Sequence, residues 1–340
     1  MDYEITRLDE HAYRISSPMG VHMDLLVGSD KALLWDTGYG IGNLKETVRN
    51  ITDLPLCIVN SHGHVDHACG NYQFEEPIYI HPLDMEVCRR HTARLMRVLA
   101  VEYGRSLSEK LRQEIDGWRA GNQAQAESLQ AQAAVQTQTV QGLPPISHET
   151  YLNQGAGNLI PVEEGQVFDL GGLHLRVVEL PGHTQGSIGL LYEEKRVLYV
   201  GDAVNDNLWL FLPEAGDLAT YMKTVEKIKS MNCRKLVFSH KPGCIDPAVL
   251  DDYMELARDL AAGSAADRGA DSADDSGSGS AADKGAGSAA GGYNRYEKGI
   301  PFSAPLVPGA TARLCCRRGY QPEDTDKPGF ASIVINRDHL

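Results

Sequence analysis

Three histidines and an aspartate crowd into the stretch Ser61-His62-Gly63-His64-Val65-Asp66-His67. Neutral imidazoles and carboxylates are the ligands that divalent first-row metals take from proteins. A lone histidine, or two separated by one residue, is ordinary packing or surface. A His-x-His-x-Asp-His run is far harder to reach by accident, and it points to metal binding. The apolar run Leu56-Cys57-Ile58-Val59 before it reads as a buried strand. Side chains alternate along a strand, so His62 and His64 share a side just past its end. Asp66 and His67 then come off the following turn.

Three further candidates occupy the same kind of position. His183 lies in Pro181-Gly182-His183-Thr184-Gln185-Gly186-Ser187, Asp202 in Gly201-Asp202-Ala203, and His240 in His240-Lys241-Pro242-Gly243. Each follows an apolar strand and sits at a glycine or proline turn, so ends of strands in one layer can bring them to one edge. His62, His64 and His183 offer three nitrogens to one metal. Asp66, His67 and His240 suit a second, and the two oxygens of Asp202 can bridge them. Asp36 opens the loop Asp36-Thr37-Gly38-Tyr39-Gly40 and either reaches such a site or only turns the chain. His81, before Pro82, reads as a capping or packing residue, and Cys69 as a small packing residue.

The elements that must position these residues alternate along the chain. His11 to Ile15, Val21 to Val27 and Lys31 to Trp35 are β-rich runs divided by turn signals, as in an antiparallel meander. Asn43 to Ile51 reads as a helix with Leu44, Val48 and Ile51 on one face. Pro77 to Pro82 is the next strand, parallel to the one before it. Gly171-Gly172 turns a hairpin between Gln166–Leu170 and Leu173–Leu180, and a second hairpin joins Ser187–Tyr192 to Arg196–Val200. Asp217 caps an amphipathic helix whose stripe is Leu218, Tyr221, Met222, Val225 and Ile228. Lys235 to Ser239 is a strand, and a helix over Pro247–Leu260 follows.

Two stretches break this rhythm. Leu83 to Gln141 is helical by composition and Gln/Ala-rich over 124–141, a surface insertion that serves as a lid, a dimer arm or nothing beyond itself. Ala261 to Gly292 is almost all Ala, Gly, Ser and Asp. It cannot bury enough apolar surface to offset the entropy of ordering, and it reads as a disordered linker. The division is therefore a main domain over 1–260 carrying the 83–141 insertion, a linker over 261–292, and a C-terminal segment over 293–340 that packs on the main domain.

The chain has 340 residues, 42% hydrophobic, with a formal net charge of -14. Apolar content is enough for a sizeable core. The acidic balance argues against a nucleic-acid partner, because phosphate neutralisation needs basic surface. Seven cysteines show neither a disulfide framework nor a Cys-x-x-Cys clip. Met1 to Glu10 has no apolar leader, and no run approaches the roughly 20 apolar residues of a membrane span. These features fit a reduced cytoplasmic protein; oligomeric state is left open.

His62, His64, Asp66, His67, His183, Asp202 and His240, in that order and with Asp36-Thr37-Gly38 ahead of them, resemble the metallo-β-lactamase-fold hydrolases. The resemblance covers roughly residues 1–260. It implies an α/β protein, a four-layer αββα sandwich with metals at one edge of the sheets, and Asp36 as a residue orienting a ligand histidine. The bridging Asp202 resembles glyoxalase II-like thioesterases, acyl-homoserine lactonases and phosphodiesterases more than true metallo-β-lactamases. The expected activity is that of a dinuclear hydrolase using a metal-bridging hydroxide on a small thioester, ester or lactone. Asp66 would orient the nucleophile and shuttle its proton, with no Ser or Cys nucleophile. The alternatives are a phosphodiester or phosphonate hydrolase and a non-catalytic metal-holding scaffold or sensor. Zinc is the expected metal, and iron or manganese also suits the donor set. For substrate contacts the sequence offers Leu208 to Leu212 as a pocket wall or plain core, and Lys241, Arg317 and Arg318 as cations for an acidic substrate or as solvated surface charges.

Overall fold

In a computed structural model the chain is described over residues 3–121, 148–271, 293–298, 312–317, 319–321, 324–325, 327 and 330–335. Its first sheet holds β1 Glu4–Arg7, β2 Ala12–Ser16, β3 His22–Val27, β4 Ala32–Trp35, β5 Leu56–Val59, β6 Ile78–Ile80 and β7 Leu159–Pro161, in that order. β1 to β4 form the antiparallel meander, and β4, β5, β6 and β7 run parallel. The second sheet is built from β8 Val167–Asp169, β9 His174–Glu179, β10 Ile188–Tyr192, β11 Val197–Gly201, β13 Lys235–Phe238 and β14 Cys244–Ile245.

Residue alternation shows why these strands stack in layers. In β4, Leu33 and Trp35 face the second sheet, while Ala32 and Leu34 pack with Leu44 and Val48 of helix α1 Leu44–Arg49. In the second sheet, Tyr199 and Val237 face inward to meet Leu26, Trp35 and Val59. Leu198, Val200, Leu236 and Phe238 point the other way, onto helices α6 Leu218–Ser230 and α7 Val249–Asp271. Strands apolar on both faces must be covered on both faces. The result is helix, sheet, sheet, helix, the sandwich that the sequence led one to expect.

α1 begins at Asn43, whose side chain accepts from the Glu46 amide, and α6 at Asp217, which accepts from Thr220 N. Between β5 and β6 lies the four-residue helix α2 Val65–Ala68. After β6 come α3 Met85–His91, α4 Arg94–Gly121 and α5 His148–Leu152, the described part of the insertion. The Gln/Ala-rich stretch 124–141 lies outside the described residues. α7 runs to Asp271, beyond the expected end at Leu260 and into the stretch read as linker. Alanine is the strongest helix former, and Ala261, Ala262, Ala265 and Ala266 prolong a helix already begun by its buried face. The rest of that stretch, 272–292, also lies outside the described residues.

A third sheet joins the C-terminal segment to the main domain. β12 Asn207–Leu210 pairs in parallel with β17 Ser332–Ile335, which pairs with β16 Ala312–Arg317, itself beside β15 Tyr293–Lys298. Cys315, Ala331, Ile333 and Ile335 enter the same core as α6 and α7. Ile333→Ala is therefore expected to destabilise the whole chain by about 2–5 kcal/mol, the cost of a buried Ile-to-Ala truncation. A single denaturant transition shifted to lower midpoint would show it; an unshifted transition would mean that the segment folds apart.

Candidate metal centre

The carboxyl ends of the parallel strands set the site. β4 ends at Asp36, β5 at the histidine run, β11 at Asp202 and β13 at His240, while the loop after β9 carries His183. Two glycines make the approach possible. A Cβ at Gly63 would lie 2.5 Å from Cys88 N and 2.8 Å from Asp84 O, so α3 packs directly on the histidine loop. Gly201 has φ +55, and a Cβ there would sit 2.6 Å from that of Ser61.

All seven sequence-derived candidates meet. His62, His64 and His183 form one cluster, with ring centroids 4.6 Å (His62–His64), 4.7 Å (His62–His183) and 4.6 Å (His64–His183) apart. Asp66, His67 and His240 form the next. His240 Nε2 is 3.4 Å from Asp66 Oδ2, and His67 Nε2 is 3.6 Å from the same oxygen. Asp202 stands between the clusters. Its Oδ1 is 3.5 Å from His67 Nε2, and its Oδ2 is 3.3 Å from His240 Nε2 and 3.9 Å from His183 Nε2.

Every one of the five imidazoles has its other ring nitrogen anchored. His62 Nδ1 bonds Ser61 Oγ at 2.9 Å, His67 Nδ1 bonds Asp36 Oδ2 at 2.8 Å, and His64 Nε2 bonds Glu214 Oε1 at 3.1 Å. His183 Nδ1 reaches the Trp209 carbonyl at 3.0 Å and His240 Nδ1 the Gly20 carbonyl at 2.8 Å. An acceptor at one ring nitrogen fixes the tautomer that leaves the other as a bare lone pair. Asp36 is itself held, accepting from Ser61 N at 2.7 Å and Ser61 Oγ at 2.8 Å. It adopts φ 62, a left-handed conformation that aspartate tolerates better than most residues.

His62 Nε2, His67 Nε2 and Asp202 Oδ1 are buried and have no hydrogen-bond partner among the described residues. Buried polar atoms are otherwise almost always paired. Converging unpartnered nitrogens and oxygens of this kind are what a divalent cation satisfies, so the residues present fit metal binding.

The two ends of the site differ in charge. Burial, with His67, His64 and His183 adding, pushes His62 well below the ordinary imidazole range, and burial lowers His183 to about 4. At the other end burial also opposes charge, but Asp66, Asp202 and Asp36 override it and raise His67 to about 10. Asp202 and Asp66 raise His240 well above its ordinary value in the same way. One end has His62 and His183 held neutral; the other is a carboxylate–imidazolium cluster.

Several groups around the site carry no signal in the local sequence. Asp84, fully buried, accepts from Gly63 N at 2.7 Å, Thr184 Oγ1 at 2.9 Å and Gly186 N at 3.0 Å, and so ties the His62–His64 loop to the His183 loop. Glu214 and His91 lie 150 and 123 positions from the residues they meet in the chain order His64–Glu214 and His91–Glu214. Separation of that size leaves no spacing to read.

The expected substrate contacts fare differently. Lys241 Nζ is 3.0 Å from the Asp206 carboxylate and donates to Thr325 O at 2.9 Å, so its charge is already matched. Arg317 pairs with Asp252 and Glu255 on α7. Arg318 lies outside the described residues. Leu208, Leu210, Phe211 and Leu212 are buried in core clusters rather than lining an open wall. His81 accepts from Leu83 N and meets Glu179, a cap as expected. Cys69 is buried, its thiol pushed up to about 11 by burial, a packing residue.

The model of the Metallo-beta-lactamase superfamily matches residues 19–240. The chain belongs to the metallo-β-lactamase superfamily. Within it, the chain is 27% identical over 231 residues to the acyl-coenzyme A thioesterase MBLAC2 of Bos taurus, covering 64% of this chain and 71% of that protein. The Homo sapiens protein of the same name is 26% identical over 231 residues, with the same coverage of 64% and 71%. The atrochrysone carboxyl ACP thioesterase AgnL7 of Paecilomyces divaricatus is 33% identical over 90 residues, 26% of this chain and 28% of that protein. No described helix is long and apolar enough to cross a membrane.

Proposed function

We propose that this hydrolase of the metallo-β-lactamase superfamily is a dinuclear metal enzyme that cleaves acyl thioesters. The observation that carries the reading is the set of five imidazoles, each anchored through one nitrogen and turning the other toward a common centre, around Asp66 and Asp202. The thioester class is supported by the relatives, which are named as acyl-coenzyme A and acyl-carrier-protein thioesterases. His62, His64 and His183 would hold one ion, Asp66, His67 and His240 the other, and Asp202 both. Zinc is the expected metal.

When bound, such ions supply an activated water and stabilise negative charge on the carbonyl oxygen. The chain's own groups do the rest. The Asp66 side chain is 19% exposed against 9% for Asp202. It orients the attacking water and holds its proton. Water adds to the carbonyl carbon, the C–S bond breaks, and the sulfur leaves as a thiolate. A thiol ionises near pH 8.5, so this leaving group needs little protonation to depart.

The test is a panel of acyl thioesters, a lactone and bis-nitrophenyl phosphate, run on wild type and His64→Ala with metal content measured alongside. The expected result is highest kcat/KM on a thioester and loss of turnover in a folded His64→Ala. Full activity of a metal-stripped sample, or preference for the phosphodiester, would overturn it.

The charge difference between the two ends makes metal uptake depend on pH. His67 and His240 carry protons at neutral pH, and a cation at that end must displace them. Raised imidazole pKa values mean that fewer protons remain to displace as pH rises, so affinity rises with pH. Affinity at the Asp66–His67–His240 end should increase about ten-fold per pH unit for each proton released, between about pH 6 and about pH 8. His183, lowered to about 4, and His62, held well below the ordinary imidazole range, are already neutral there, so binding at the His62–His64–His183 end should depend less on pH. Calorimetric titration in buffers of different ionisation enthalpy reads the proton count; equal release at both sites would contradict the assignment.

A further inference from the structure

His64 differs from the other four imidazoles in its orientation. The others turn Nε2 toward the centre, whereas His64 turns Nδ1, which lies 2.9 Å from His183 Nε2. Its Nε2 points away, to the carboxylate of Glu214. The loop carrying Glu214 is stitched to the His183 loop by Gln185 N to Glu214 O at 2.9 Å and Gly216 N to Gly182 O at 2.7 Å.

Glu214 is only 5% exposed as a side chain and every oxygen is engaged. Oε1 accepts from His64 Nε2 and, at 2.9 Å, from His91 Nε2; Oε2 faces Arg90 Nη2 at 3.3 Å. The His91 ring also stacks on His64, centroids 4.5 Å apart and planes 29° apart. His91 and Arg90 end α3, the first helix of the insertion.

We propose that Glu214 is a positioning residue that locks His64 in the tautomer with a bare Nδ1, and that His91 and Arg90 aim the Glu214 carboxylate, so that the insertion is built into the metal centre. The inference rests on the reading of His62, His64 and His183 as a metal trio. Carboxylates that accept from a ligating imidazole commonly govern metal affinity in this way. The cluster His64, His91 and Glu214 is not itself a cation site. Glu214 Oε1 already takes two N–H donors, and the Arg90 guanidinium would repel a cation beside Oε2.

The test is cobalt(II) titration of the full metal-free chain, followed by ligand-field absorption and chelator competition, on wild type, Glu214→Ala and Glu214→Gln. Glu214→Ala should weaken one of two cobalt sites by about 10- to 100-fold and change the absorption of that site alone. Glu214→Gln keeps the shape and one acceptor oxygen, and should fold with a loss of about ten-fold, the lower end of that range. The variants' thermal transitions without metal show whether a loss is merely structural. Two sites titrating in Glu214→Gln as in wild type would overturn the inference alone. Equal weakening of both sites would also overturn it, as would loss of a third bound cobalt. A wild type that takes up no cobalt would overturn the metal trio and this inference with it.

Discussion

Asp202→Ala is expected to lower kcat/KM for an acyl thioester by roughly 10⁴-fold, a loss of the size seen when a central catalytic group is removed. Asp202 stands between the two halves of the site, within 3.9 Å of His183, 3.5 Å of His67 and 3.3 Å of His240. Its removal deprives both proposed ions of a ligand and leaves the raised imidazoles of His67 and His240 with Asp66 as their main remaining counter-charge. Asp202→Asn keeps the volume and loses only the charge, so it should fold and still lose most of the activity. Steady-state kinetics with metal analysis on the same samples decide the matter. An Asp202→Asn enzyme that retains two ions and near-normal turnover would remove the bridging role.

Asp84→Ala carries the second large effect, and on stability first. One buried carboxylate receives Gly63 N, Thr184 Oγ1 and Gly186 N. Alanine would leave three buried donors unmatched together with the hole left by the carboxylate. Orphaned donors cost about 1–3 kcal/mol each, and relaxation recovers part of that, so a loss of about 3–5 kcal/mol is expected. Gly63 lies between His62 and His64, and Thr184 follows His183, so the same substitution frees both loops of the nitrogen trio. Denaturant unfolding of metal-free protein measures the first effect and cobalt affinity of that site the second. A stability change under about 0.5 kcal/mol, typical of surface substitutions, would mean that the clamp carries no weight.

The histidine run, the strand-end positions of His183, Asp202 and His240, and the alternating apolar strands were all readable, because each depends on local order in the chain. The capped helices α1 and α6 were legible for the same reason: Asn43 and Asp217 sit at the very positions their amides require. What escaped depends on contacts made far along the chain. Asp84 and Glu214 are single carboxylates in unremarkable surroundings until the fold brings loops from distant segments against them. β1 escaped because Glu4–Arg7 is an exposed edge strand and needs no apolar face to pair. α7 outran its expected end because composition rich in alanine suits both a helix and a linker, and the choice is made by what the preceding turns already bury. Lys241 and Arg317 read either as cations for an acidic substrate or as plain solvated side chains; Asp206, Asp252 and Glu255, which meet them, lie outside any local window.

The carbonyl that anchors His183 belongs to Trp209 in β12, and among the described residues the strand beside β12 is β17, Ser332–Ile335. During synthesis, His183 and Trp209 leave the ribosome more than a hundred residues before that strand exists. Until Ile335 has emerged, β12 lacks the one ladder it makes among the described residues, and the carbonyl that anchors His183 lacks that support. Pairing over such a span is slow to form, because loop closure must come before the contacts that reward it. The nascent chain can therefore complete its histidine loop early, while the last strand to arrive among the described residues is the one that braces the carbonyl behind His183.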